Sequence, residues 1–558
     1  MPQKKIPKIY VLLGFTFLLV SCGVKKSLRD LPNISQYETD VAQRHQLTDS
    51  SFVLGNNFLT KNQQGIYELY VSGNPYELGL KTGSLTRELF QEQEKVFIEK
   101  IDDLVPSEKK QKMLRKFLAW FNRKMYKHVD EQYKAEIYGI AHYASKNYDR
   151  IAAPYPRVMY FHGAHDIGHA LQDLALVGCS SFAAWGDHTE DGKLLIGRNF
   201  DFYAGDDFAK NKIIAFVAPD EGYKFMSVTW GGMIGVVSGM NDQGLTVTIN
   251  AGKSKFPLVA KTPISLVTRE ILQYASTIEE AISIAKKREV FVSESIFIGS
   301  AKDKKAALIE VSPHNFGVYE VENNNQLVCS NHFQSAAYAK DKKNKKHIFE
   351  SHSQYRYERM EELLEEEPKV TPESAVSILR NKNGLNNERI GYGNEKALNQ
   401  MLAHHGIVFQ PEDLKVWVSS NPYQLGEFVA YDLNEIFENI KKNPEARPIS
   451  SSSENIEADP FLQTLAYRHY ECYRELKSEI TTAIASEEKI ETSLLSEFVA
   501  VNPDLWEVHF LVGTYYYENE LYQKALEAFE AAKTKEVTTV PDMEALDKYI
   551  KKTKRKLK

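Results

Sequence analysis

The period of hydrophobic and polar positions changes several times along the chain, and each change marks a boundary. Residues 9–20 are an apolar run behind Lys4, Lys5 and Lys8 that stops at Ser21-Cys22. The run is shorter than the ~20 residues of a membrane-spanning helix and has the form of an export signal. Residues 23–64 read as a polar tether. Order resumes at Gly65 with a strand over 66–71, a turn at Gly73-Asn74-Pro75 and a helical pattern from Tyr76. Amphipathic helices are predicted at 111–128 and 131–148, followed by breaks at Pro154 and Pro156 and a further helix over 157–176. Strands at 179–185 and 194–196 flank a turn rich in Asp and Gly. Residues 213–252 alternate with period two between frequent glycines, which predicts several antiparallel strands with a hairpin turn at 239–245.

Helices at 263–274 and 278–287 come next, then strands near 295–298, 306–311 and 316–321. A helix opens at Ser353, and strands are expected at 406–410, 414–418 and 428–433. Such blocks of helices and strands predict an α+β fold, with two antiparallel sheets stacked between helical layers. After residue 441 the composition turns to Pro, Ser and Glu, a linker over 446–460, and 461–558 is helical. There Trp506, Gly513, Tyr516, Ala525, Phe529 and Ala532 fall at tetratricopeptide offsets. A single repeat is below the usual minimum, so this segment must dock on the rest of the chain or on a protein partner.

Length adds that 558 residues suit two or three domains. Lys+Arg 69 against Asp+Glu 75 gives a net charge of −6 without a long basic block, which argues against a nucleic-acid partner. Cys22, Cys179, Cys329 and Cys472 are widely spaced and form no CxxC pair, so neither a disulfide framework nor a thiolate zinc site is suggested.

The chemistry concentrates between Gly178 and Asp201. Folding the 179–196 hairpin on itself brings the Cys179 thiol close to the Arg198 cation and the Asp201 carboxylate, a nucleophile with groups that tune it. The competing reading is a buried, inert cysteine, and the company of Cys179 weighs against it. Just upstream, His162, His165 and His169 with Asp166 and Asp173 have helical spacing compatible with a metal. No HExxH pattern accompanies them, so the preferred reading is a polar helix packed beside the nucleophile's strand, with no metal. Cys329 and His332 suggest a second dyad, but both lie on the strand that carries Asn331 and read as its structural neighbours. Asn241 reads as turn geometry.

Gly178-Cys179-Ser180-Ser181-Phe182-Ala183, Asp191-Gly192-Lys193-Leu194-Leu195 and Gly197-Arg198-Asn199-Phe200-Asp201 carry a resemblance. They are joined upstream by Gly73-Asn74-Pro75-Tyr76-Glu77-Leu78-Gly79 and downstream by Ile249-Asn250-Ala251 and Asn331-His332-Phe333. Together they resemble the C45-type N-terminal-nucleophile cysteine hydrolases of the acyl-coenzyme A:6-aminopenicillanic acid acyltransferase family, relatives of bile salt hydrolase and acid ceramidase. The resemblance implies a four-layer αββα sandwich. It also implies a precursor that cuts itself between Gly178 and Cys179, where a glycine leaves room for attack and permits a strained peptide. Cys179 would then be the nucleophile and its freed α-amine the base, with Arg198 favouring the thiolate and Asp201 orienting the amine. Asn250 would face the oxyanion, and Asn331 and Arg356 would align the substrate, Arg359 being the alternative to Arg356. The substrate implied is a small N-acyl amide, without metal or cofactor. Non-catalytic scaffolding through the helical tail, and cleavage of cell-wall peptides, are the alternatives.

On this reading the chain divides into a signal (1–22), a tether (23–64), a helical pro-region (65–178), a catalytic core (179–445), a linker (446–460) and the tail (461–558). Leu19-Val20-Ser21-Cys22 resembles a bacterial lipobox. It implies a lipid anchor on Cys22 and a place on the membrane of the bacterial cell envelope, facing the periplasm.

Overall fold

In the computed structural model, the described residues are 21–37, 39, 43–163, 166, 178–202, 205–255, 257, 259–322, 324–402, 404–440, 443 and 445–558. The leader over 1–20, the side chain of Cys22, and His165, His169 and Asp173 lie outside them.

The first strands are β1 (His45–Thr48), β2 (Ser51–Leu54), β3 (Asn57–Lys61) and β4 (Tyr67–Gly73). β1–β4 form an antiparallel meander, so much of the stretch read as a tether is sheet. The cause is local: Phe52, Leu54, Phe58 and Leu59 are buried on either side of a turn whose Gly55 has φ of 58°. The hairpin at the cysteine is β5 (Ser180–Ala184) and β6 (Leu195–Phe200). Then come β7 (Ile213–Pro219), β8 (Phe225–Thr229), β9 (Ser238–Asn241), β10 (Leu245–Ala251), β11 (Glu294–Ser300), β12 (Lys305–Ser312) and β13 (Asn315–Tyr319). The last are β14 (Gln326–Cys329), β15 (His405–Gln410), β16 (Lys415–Ser419) and β17 (Phe428–Asp432).

The strands form an 11-stranded sheet, ordered β1-β2-β3-β4-β7-β8-β9-β10-β11-β12-β13, and a 6-stranded sheet, ordered β14-β5-β6-β15-β16-β17. The small sheet is antiparallel, as expected. The large one is mixed, because β4 and β7 pair in parallel from Tyr67 opposite Ile213 to Gly73 opposite Pro219. A parallel pair needs a long crossover, and the helices and the β5–β6 hairpin between these two strands supply it.

Both faces of each sheet are covered, so alternate residues of one strand enter different cores. Leu69 and Val71 of β4 pack on the outer side with Ile264, Val267 and Ile271 of the helix Ile264–Tyr274. Tyr70 packs between the sheets with Phe216, Phe297, Ile196 and Val418. On the far side, Phe182 and Val408 meet Met360 and Leu364 of the helix Ser353–Glu366 and Val376 of the helix Pro372–Leu379. The order is therefore helix, sheet, sheet, helix, an α+β sandwich.

The helix Pro75–Leu85 begins with a capping box of Asn74 and Glu77 and crosses the helix Glu131–Ala141 at close range. A Cβ on Gly79 would stand 2.0 Å from the Glu136 carbonyl oxygen. The C-terminal helices Leu465–Ala485, Thr492–Val501, Trp506–Glu518, Tyr522–Lys533 and Val540–Lys556 share one apolar core, which also takes in Met401 and Leu425 of the sandwich. This segment docks on the rest of the chain. Among the described residues no helix is long and apolar enough to cross a membrane.

Candidate active site

Ser181 pairs with Arg198 and Ala183 with Ile196 across the β5–β6 hairpin. Ala183 and Ile196 point between the sheets, so the period of two places Cys179, Ser181 and Arg198 on that same inner face. Beyond the last strand pair, the Gly178 N–H donates to the Asp201 carbonyl at 3.1 Å. Cys179 therefore sits at the open end of the hairpin, 1% exposed.

Arg198 is fully buried and held by the sheet behind it. Nη1 donates to Val237 O at 2.8 Å and to Ser238 Oγ, and Nη2 donates to Ile249 O and to Cys179 Sγ, the last at 3.7 Å. Burial pushes the Cys179 thiol up to about 11; Arg198 pulls the other way, Asp201 and Glu294 add to the rise, and Arg356 opposes it. The Arg198 cation lowers the thiol's value, and burial outweighs it. Asp201 is also buried, and its carboxyl is raised by burial to about 7 against the pull of Arg356. Its Oδ1 accepts from Gln424 Nε2 at 3.2 Å, while Oδ2 has no partner among the described residues.

Arg356 closes the other side. Nη1 donates to Cys179 O at 2.6 Å and to Ser180 Oγ at 2.8 Å, Nη2 to Asn331 Oδ1 at 2.6 Å, and Nε to His352 Nδ1 at 3.2 Å. Arg359 instead meets Glu362 at 2.6 Å and Asn387, so of these two arginines it is Arg356 that reaches Cys179 and Asn331. Asn331 is fixed further by Nδ2 donating to Ala251 O at 3.0 Å. Asn250 reaches the same region but is otherwise engaged: Oδ1 accepts from Ser181 Oγ at 2.9 Å, and Nδ2 donates to Cys329 O at 3.1 Å and Ser330 O at 3.4 Å. It ties β10 to β14 and β5 across the two sheets.

Cys329 and His332 form no dyad. The Cys329 thiol donates to Ser330 O at 3.4 Å, while His332 Nδ1 meets Ser353 Oγ at 2.8 Å. His162 has both ring nitrogens engaged, Nδ1 with Val158 O at 2.9 Å and Nε2 with the Ile234 N–H at 3.0 Å, and burial pulls it down to about 4. Asp166 accepts from the Ile264 N–H at 2.8 Å. Among the described residues no cluster of His, Cys, Asp and Glu could hold a metal ion.

Sequence patterns gave no sign of several neighbours. Ser238 Oγ joins Arg198 to His405 Nε2 at 2.9 Å, and His405 Nδ1 meets His404 Nδ1 at 2.9 Å. Gln424 holds Asp201, and Gln400 Nε2 donates to Gly178 O at 3.4 Å. The one local signal is the His404-His405 pair at the start of a strand.

An uncharacterized protein of Archaeoglobus fulgidus is 28% identical over 277 residues, 46% of this chain and 45% of its own length. The chain thus spans less than half the length of that curated relative. Among solved structures, a Caenorhabditis elegans ortholog of N-acylethanolamine-hydrolyzing acid amidase is 18% identical with a TM-score of 0.30, over 42% of this chain and 93% of its own. A mutant of conjugated bile acid hydrolase from Clostridium perfringens is 14% identical with a TM-score of 0.33, over 47% of this chain and 94% of its own. Residues 188–422, which include Arg198, Asp201, Asn250, Asn331 and Arg356 and begin after Cys179, match the sequence model of the acyl-coenzyme A:6-aminopenicillanic acid acyl-transferase family.

Proposed function

We propose that this chain is the precursor of a cysteine amidohydrolase or acyltransferase that opens its own Gly178–Cys179 peptide and then cleaves or forms linear N-acyl amides through a thioester on Cys179. The observation that carries the reading is Asp201, a buried carboxyl whose Oδ2 has no partner among the described residues and which lies near enough to the Cys179 thiol to help raise it. It belongs to the residue whose backbone carbonyl holds the Gly178 N–H. Leaving such a buried polar atom unsatisfied costs about 1–3 kcal/mol. Opening the peptide creates an α-amino group on Cys179 that supplies the missing partner. The match of residues 188–422 to an acyl-transferase family supports the same chemistry.

In the opening step Cys179 Sγ adds to the Gly178 carbonyl carbon, the C–N bond breaks, and the thiol proton goes to the Cys179 nitrogen. Water then cleaves the thioester, leaving a Gly178 carboxylate and a Cys179 with both thiol and α-amine. That amine, with an ordinary pKa near ~8, takes the thiol proton at neutral pH. Arg198 holds the thiolate, Asp201 orients the amine, and Arg356 with Asn331 aligns the substrate carbonyl and its polar flank. The thiolate displaces the amine of the substrate, and water or an acceptor amine takes the acyl group. Cys22, as a lipidated N-terminus, would place this site at the membrane of the bacterial envelope, and fatty-acid labelling lost in Cys22→Ala tests that part.

Intact mass and N-terminal sequencing of the purified chain, run beside a panel of N-acyl amides, test the whole. The parent is expected to show a new N-terminus at Cys179 and to release acid from the amides. Cys179→Ala is expected to remain one chain and to be inactive. A parent that stays unbroken yet hydrolyses amides would falsify the proposal.

A further inference from the structure

Gln400 has no part in the steps above, yet it touches the bond they open. It is 3% exposed, and its Nε2 donates to Gly178 O at 3.4 Å and to Glu395 O at 3.3 Å. The fit against Gly178 is close. A Cβ on residue 178 would stand 2.1 Å from Gln400 Nε2 and 2.9 Å from both Cδ and Oε1. Gly178 is not among the residues with positive φ. The Gln400 amide thus lies directly against the Gly178 Cα, and the glycine is not there for a left-handed backbone.

The stretch carrying Gln400 is held from both sides. The Asn399 N–H donates to Asn381 O at 2.9 Å, and Asn399 Oδ1 accepts from the Met401 N–H at 2.9 Å. From the C-terminal segment, Tyr470 donates its hydroxyl to Met401 O at 2.9 Å, Asn502 Nδ2 donates to Tyr392 O at 2.8 Å, and the Glu536 carbonyl accepts from Asn394 Nδ2 at 2.9 Å. A side-chain amide in so fixed a frame is a preorganised donor.

We propose that Gln400 is a catalytic residue of the chain-opening step, its Nε2–H holding the oxygen of Gly178 as that oxygen becomes negative. The inference rests on the self-opening reading. Addition of Cys179 Sγ to the Gly178 carbon moves the C=O π pair onto oxygen, where the 3.4 Å contact tightens into a charge-assisted hydrogen bond. The pair returns as the C–N bond breaks, and the proton from sulfur leaves with the nitrogen. Gln400 gives up no proton and supplies field alone.

The test is a time course of chain opening in the full-length protein, read by intact mass, for the parent and Gln400→Met. The methionine keeps length and burial and removes the donor. Opening slower by about 10²-fold, with thermal unfolding near the parent's, is the expected result. Opening at the parent's rate overturns the role of Gln400 while leaving self-opening intact, and a parent that never opens removes both. Gln400→Asn withdraws the amide by one methylene while keeping it polar, and serves if the methionine variant does not fold. It too should be slow, and a parental rate in it overturns the assignment. A pair of variants separates donor from packing: Gly178→Ala alone collides with Gln400, whereas Gly178→Ala with Gln400→Ala should regain parental stability and still open slowly. Parental opening by the pair would sink the inference.

Discussion

Asp201 is held out of its ordinary state by its surroundings, and that makes it measurable. Its carboxyl, raised by burial to about 7, keeps a proton in the folded, unopened chain where the unfolded chain, with a carboxyl near ~4, has lost one. The stability this contributes is present in full below the unfolded value and is lost as pH rises through the folded one. In a Cys179→Ala background, which stays unopened, urea denaturation at about pH 4 and about pH 7.5 should show Asp201→Asn gaining on its parent as pH rises, by a few kcal/mol. A difference that does not move with pH would mean that Asp201 is already ionised in the folded chain. Cys179 and Arg198 could be placed together from sequence because the hairpin carrying them is local and its period of two predicts their shared face, while Asp201, three residues past Arg198, follows from nearness along the chain alone. Gln400, Gln424 and Ser238 could not. They arrive from other segments of the chain, and a lone Gln in a loop or Ser at the start of a strand has no pattern that separates a site residue from a solvated one.

At the scale of the element, Asn250 acts as a brace between the sheets. Its three hydrogen bonds join Ser181 of β5, Cys329 of β14 and Ser330 just beyond. Asn250→Ala is therefore expected to lower stability by roughly 1–3 kcal/mol for each group left unpaired, with chain opening within about tenfold of the parent. A loss of ~10²–10³ in opening rate at parental stability would restore it as an oxyanion donor. Thermal unfolding and the opening time course on the same preparation decide. The strands after residue 179 were legible as short apolar runs between glycine-rich turns, since both of their faces are buried. β1 to β3 were missed because each is four or five residues long and the apolar pairs in them are diluted by polar neighbours. The parallel pairing of β4 with β7 was hidden for another reason: strand patterns report faces and say nothing about direction.

Taken whole, the molecule joins its C-terminal helices to the bond proposed to open. Tyr470 donates to Met401 O, next to Gln400, and Leu505 lies against Gly391, where a Cβ would come within 2.4 Å of it. Removing the one hydroxyl in Tyr470→Phe should cost about 1 kcal/mol and slow chain opening several-fold, since the stretch bearing Gln400 loses an anchor. Unchanged opening at the lowered stability would mean that the helices merely cover the sandwich. The parallel seam between β4 and β7 bears on what remains after the proposed cut. Four strands on the N-terminal side are hydrogen-bonded into the large sheet, and a scission at Gly178 severs none of those bonds. The product would be a two-fragment protein that travels as one particle. Its unfolding would have no easy return, because refolding would need a bimolecular encounter between pieces that once shared a backbone, so its working lifetime would be set by how slowly that seam parts.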